Sequence, residues 1–169
     1  MEPTRIHKST QADQAAQVPE PALYGVKVQA SAWAEWIPHL FQPRQFLTLT
    51  SKDPVSEAAL CRRYGFIVQQ VNRNLFGNNW RRQGNGISHV YAVEPQQRGV
   101  PHIHAVWDQE FVPYDLIHSI ANRISGYAWI EPVTSDSGVG HYVTKYAVKN
   151  GSVFVYLSRH KRALGNAGL

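Results

Sequence analysis

One heptapeptide, Pro101-His102-Ile103-His104-Ala105-Val106-Trp107, constrains this chain more than any other stretch. It is a run of strand-forming residues carrying two histidines two positions apart. On an extended strand, residues i and i+2 project from the same face. His102 and His104 therefore present their imidazoles side by side, while Ile103 points the other way. Paired imidazoles on a rigid face can be two ligands of a divalent metal ion; a pair of this kind can equally be no more than a polar patch on a sheet. What distinguishes the two is what the chain places beside the pair. The strongly β-forming residues around the histidines predict a central strand.

The preceding segment predicts a third donor. Ile87 to Pro95 reads as a strand, Gln96 to Gly99 as a turn and Val100 to Trp107 as the return strand. Gly99 suits the left-handed last position of a three-residue loop, Gln97-Arg98-Gly99. In that register Gln96 faces Val100, Glu94 lies opposite His102, and Ala92 lies opposite His104. Directly opposed residues share a face, so the Glu94 carboxylate joins the imidazoles. A slip of one residue would send it to the other face. A His-His-Glu set without thiolate suits Mg²⁺ or Mn²⁺ with open positions for water and substrate oxygens, and leaves zinc open.

Forty residues later, Gly140 to Gly151 has helical spacing. Val139, Val143 and Ala147 form its apolar stripe, and Tyr142 and Tyr146 are neighbours on one face. Each tyrosine has a lysine three residues on, Lys145 and Lys149. An ammonium group nearby favours the phenolate, which is a competent nucleophile. On a helical wheel Tyr142 lies about 100° from the centre of the stripe and Tyr146 about 60°. Both lysines fall on the Tyr142 side. Tyr142 is expected to be the more exposed tyrosine and the first to react.

These motifs together resemble the HUH endonucleases, and within them the two-tyrosine initiators of rolling-circle replication (Rep) found in small single-stranded DNA phages and some plasmids. The resemblance runs from Phe46 to Gly151. It rests on the apolar-threonine strand Phe46-Leu47-Thr48-Leu49-Thr50, the strand His102-Ile103-His104, and the helix Tyr142-Val143-Thr144-Lys145-Tyr146-Ala147-Val148-Lys149. It implies a DNA nickase and strand transferase that forms a 5′-phosphotyrosine and a free 3′-hydroxyl at a replication origin. Tyr142, Tyr146, Lys145 and Lys149 would be catalytic, and Glu94, His102 and His104 would hold Mg²⁺ or Mn²⁺. No helicase motif follows, which implies a nicking domain or minimal initiator working with a host helicase. Alternatives are a transposase or relaxase of the same chemistry, or a non-catalytic nucleic-acid-binding module of the RNA-recognition type, which would expose aromatic rings on its sheet. A two-histidine phosphoesterase would need a second His-x-Thr/Ser motif, and Thr48-Leu49-Thr50 contains no histidine.

Composition agrees with an anionic partner. The 169 residues carry a formal net charge of +5, with a pI of about 9.5, which favours nucleic acid. A hydrophobic share of 43% is enough for one domain with a real core. The single Cys61 rules out an internal disulfide framework. With no signal peptide or long apolar run evident, the expected location is cytoplasmic. Residues 1–21 are polar and read as a flexible segment; 22–169 reads as one domain.

Along that domain, Leu23 to Val28 suggests a short strand, and Ser31 a cap for a short helix reaching Ile37. Gln45 to Ser51 is a strand. Asp53-Pro54 marks a helix start, with an apolar stripe from Leu60 to Leu75 and a stop at Gly77. Cys61 beside that stripe reads as inert. Trp80, Arg81 and Arg82 lie in a polar loop, Asn78 to Gly86, where arginines can hold phosphates and an aromatic ring can stack on a base. Pro113 opens a second helix that Gly126 should cap, with His118 in solvent. Tyr127 to Val133 and Val153 to Leu157 are strands, and Ser158 to Arg162 is a basic tail. The order β-α-β-β-α-β-α-β predicts an α+β fold, a ferredoxin-like or RRM-like antiparallel sheet flanked by helices.

Overall fold

The computed structural model describes residues 35–94, 100–134 and 153–158. Helix α1 is described over residues 35–40. It is followed by β1 (Gln45–Ser51), α2 (Glu57–Phe76), β2 (His89–Glu94), β3 (His102–Trp107), α3 (Tyr114–Ile124), β4 (Gly126–Pro132) and β5 (Val153–Tyr156). The N-terminal segment, the 97–99 turn, the tyrosine helix and the basic tail beyond Ser158 lie outside the described residues.

The five strands form one antiparallel sheet in the order β4-β1-β3-β2-β5. Its first four members have the strand order of a ferredoxin-like α+β fold, and the histidine strand β3 is central, as its composition predicts. Period-two alternation sorts the side chains onto two faces. Leu47, Leu49, Val93, Ile103, Ala105, Ala128 and Ile130 meet α2 and α3 in the larger core. There the indole of the fully buried Trp107 donates to the Tyr64 hydroxyl at 2.8 Å. On the opposite face Phe46, Val90, Ala92 and Val106 pack with Ile37 and Phe41 in a smaller core. That core covers only one end of its face; further along the same strands stand Thr48, Thr50, Glu94, His102 and His104.

Helix boundaries differ from the sequence expectation in two places, each for a local reason. The N-cap of α2 is Ser56, not Asp53: its Oγ accepts from the Ala59 N–H at 3.2 Å, and its carbonyl accepts from Leu60 at 3.0 Å. The stop at Gly77 is as expected, with φ +79° and its N–H bonded to the Arg73 carbonyl. Gly126 does not cap α3; Ser125 does, and Gly126 opens β4. A Cβ at Gly126 would lie 2.5 Å from the Lys52 nitrogen and the Thr50 oxygen. Glycine is required there by the close approach of two strands rather than by a left-handed turn.

Candidate functional site

β2 and β3 pair with Glu94 opposite His102 and Ala92 opposite His104, the register inferred from the chain. β1 flanks β3 on its other side, with Thr48 opposite His104 and Thr50 opposite His102. Each cross-strand neighbour is also a ring partner. Thr48 Oγ1 is 3.2 Å from His104 Nδ1, and Thr50 Oγ1 is 3.3 Å from His102 Nδ1. Both imidazoles are thus tethered by the same ring nitrogen to the same strand, which leaves Nε2 as the outward-facing atom of each. Phe46 stacks on the His104 ring at 6.0 Å, further limiting its rotation.

Glu94 reaches diagonally rather than straight across. Its Oε2 lies 3.2 Å from His104 Nε2. With Nε2–H donating to the carboxylate, the Thr48 hydroxyl donates to Nδ1. With the proton on Nδ1 instead, the same hydroxyl accepts it and Nε2 keeps its lone pair. A hydroxyl serves either tautomer because it is both donor and acceptor. His102 is held below its ordinary imidazole pKa, first by burial and against the opposing pull of Glu94. Its neutral, ligand-competent form is therefore favoured.

The chemistry of this donor set suits a hard or intermediate divalent cation: two imidazoles anchored through their far nitrogens, and one carboxylate. Ligand atoms at adjacent corners of an octahedral Mg²⁺ site lie about 3 Å apart, close to the spacing of His104 Nε2 and Glu94 Oε2. The His102 ring stands further off, 6.5 Å from His104 between centroids. As the side chains stand, no three His, Cys, Asp or Glu residues among those described are gathered tightly enough to hold an ion. Closing the triad takes a side-chain rotation at His102.

The family model for the replication-associated protein ORF2 matches residues 44–151, more than half of the chain. The chain belongs to this family. The matched span takes in β1, the histidine strand and the tyrosine motif. No curated protein and no solved structure matches. No helix among the described residues is long and apolar enough to cross a membrane.

Other expected site residues of this replication-associated protein are distributed differently. Tyr142, Lys145, Tyr146 and Lys149 lie outside the described residues. Trp80 is not available to stack on a base. It is 6% exposed, its ring lies against Gly86, and the Arg81 guanidinium covers it 4.9 Å from the centroid. Composition alone cannot tell a loop tryptophan that packs from one that waits for a ligand. Arg81 and Arg82 are exposed, but their loop enters β2 at His89, about 17 Å of strand away from Glu94. Cys61 fits its inert reading, since burial pushes its thiol pKa up.

Two features were not anticipated as parts of the site. The threonines were matched as a motif, without their role as ring anchors; their shared face with the histidines exists only once β1 pairs with β3. The alternation Tyr127-Ala128-Trp129 puts two exposed rings, each 46% exposed, on β4. His118 is not simply in solvent: it stacks on Tyr114 at 5.4 Å and meets the edge of Tyr127 at 5.6 Å.

Proposed function

We propose that this replication-associated protein is a metal-dependent single-stranded DNA endonuclease and strand transferase of the HUH, two-tyrosine kind, which starts rolling-circle replication by nicking an origin. The observation that carries this reading is the register that sets Glu94, His102, His104, Thr48 and Thr50 on one face of a central strand pair.

In this reading Glu94, His102 and His104 hold Mg²⁺ or Mn²⁺, and Thr48 and Thr50 orient the rings that bind it. When bound, such an ion polarises the scissile phosphate and offsets the charge that develops on its oxygens. The Tyr142 phenolate, favoured by Lys145, attacks phosphorus. The bond from phosphorus to the 3′-oxygen breaks, and that oxygen takes up a proton to become a free 3′-hydroxyl. The DNA 5′-phosphate stays on Tyr142 as a phosphodiester, so the bond energy is kept and no nucleotide cofactor is consumed. Tyr146 then takes the second transfer while Tyr142 still holds its strand. Attack by a 3′-hydroxyl on the phosphotyrosine runs the step backwards and joins ends.

The test is incubation of the full chain with a pool of single-stranded oligonucleotides and Mn²⁺, followed by sequencing of the DNA left covalently on protein. A 5′-phosphotyrosine adduct is expected. Tyr142→Phe should abolish the first cut, while Tyr146→Phe should keep it and lose repeated transfer. Absence of any adduct across the pool would sink the reading in favour of a module that binds without cutting. A first cut that survives in Tyr142→Phe and disappears in Tyr146→Phe would reverse the two roles.

A further inference from the structure

β4 is an edge strand of the described sheet, and an edge strand in a soluble protein ordinarily avoids large exposed rings. Here Tyr127 and Trp129 project from it on the same face as the histidines, since Tyr127 pairs with Thr50 and Trp129 with Thr48. Each row therefore runs from an aromatic on β4, through a threonine on β1, to a histidine on β3. At the spacing of adjacent strands the two rings stand about 10 Å from the histidine row. Across that edge they meet α3: Tyr114 packs edge-on against Trp129 at 5.8 Å, and His118 bridges Tyr114 and Tyr127. The Trp129 indole donates to Glu131 Oε2 at 3.2 Å, which fixes its plane.

We propose that Tyr127 and Trp129, backed by Tyr114 and His118, form a stacking platform for unpaired bases of the DNA strand presented to the histidine face. The assignment rests on the single-stranded DNA reading above. The charge pattern favours bases over phosphates on the rings themselves, because Glu131 and Asp115 stand among them. Exposed cations lie at both ends of the platform: Lys52 and Arg123 where β4 begins, and Arg44 where it ends. A strand lying along β4 thus meets aromatic faces in the middle and positive charge at its margins, the combination that grips single strands without reading their sequence. Rings already propped by neighbours lose little freedom when a base lands on them.

The test measures binding of a fluorescein-labelled oligothymidylate to the full chain by anisotropy, in EDTA so that no cutting intervenes. Trp129→Ala should weaken binding about tenfold without changing the salt dependence, because stacking releases no counterions. Trp129→Phe should keep most of the affinity. An oligothymidylate carrying 5-iododeoxyuridine, photocrosslinked to the unaltered chain and mapped by mass spectrometry, should mark Tyr114, Tyr127 or Trp129 even if the variant folds poorly. Undiminished binding by Trp129→Ala, or crosslinks that fall only elsewhere, would remove the platform and leave the nicking reading standing. Failure of the parent chain to bind any single-stranded DNA would remove both. A fall from dimer to monomer on Trp129→Ala, seen by sedimentation, would reassign the rings to self-association.

Discussion

At the scale of single residues, the site separates groups that would touch an ion from groups that hold those groups still. Loss of either ligand ring should stop cleavage: His102→Ala and His104→Ala are expected to abolish adduct formation and leave DNA binding within a few-fold, measured by adduct assay and anisotropy. The threonines make a subtler prediction. Partners that orient a ligating histidine are typically worth about 10- to 100-fold in metal affinity. Thr48→Val keeps the shape but removes the hydroxyl 3.2 Å from His104 Nδ1. It should raise the Mn²⁺ concentration for half-maximal cleavage about tenfold, and Thr48→Ser should restore it. A Thr48→Val protein with the parent's Mn²⁺ titration would show that the hydroxyl orients nothing of consequence.

At the scale of elements, β1 joins the face that carries the histidines to the edge that carries the rings. It pairs along seven positions with β4 and six with β3, so anything that displaces β4 reaches Thr48 and Thr50. Gly126→Ala forces a methyl into the 2.5 Å gap beside the Lys52 and Thr50 backbone. A cost of about 3 kcal/mol is expected in urea unfolding, together with weakened cleavage. At the other end of the sheet, the turn after α2 carries Arg81 and Arg82 in the open. Replacing both with alanine should flatten the salt dependence of DNA binding if phosphates reach them. Because that turn lies far from Glu94, Mn²⁺ dependence should be unchanged; an unaltered salt slope would return the turn to ordinary solvent-exposed chain.

At the scale of the whole molecule, one buried group ties stability to pH. His89 sits wholly inside, stacked on Tyr156 at 5.2 Å and meeting Tyr64 edge-on at 5.5 Å, with Nδ1 3.1 Å from the Ile87 carbonyl. Burial pushes its pKa down to about 4, against the raising effect of that hydrogen bond. An unfolded histidine titrates near 6.5, so below that pH the unfolded chain binds a proton that the folded chain refuses. Stability is therefore full above about pH 6.5 and falls as the pH drops toward 4, by up to about 3 kcal/mol from this residue. Urea unfolding at pH 7 and pH 4.5 should show the loss, and His89→Phe should make it shallower whatever it does to stability at pH 7. An equal slope in the two proteins would mean that the acid sensitivity arises elsewhere.

Much of this was written locally in the chain. Strand alternation, helix periodicity, the Gly77 stop and the hairpin register all depend on short-range spacing, so Glu94 could be placed opposite His102 before any coordinates. The strand order followed from the order of elements, and the central position of the histidine strand from its apolar neighbours. Contacts between segments distant in the chain could not be read that way. Thr48 and His104 are 56 residues apart, and only the pairing of β1 with β3 makes the hydroxyl a ring partner. The diagonal reach of Glu94 to His104 is a rotamer choice made inside a formed sheet. Trp80 looked available because its surroundings in sequence are polar, yet the fold brings Gly86 and Arg81 against its ring. Conversely, Tyr127 and Trp129 looked like ordinary strand residues, and their exposure follows from β4 ending the described sheet. Periodicity determines which side of its own element a residue takes; only tertiary packing determines what lies on that side.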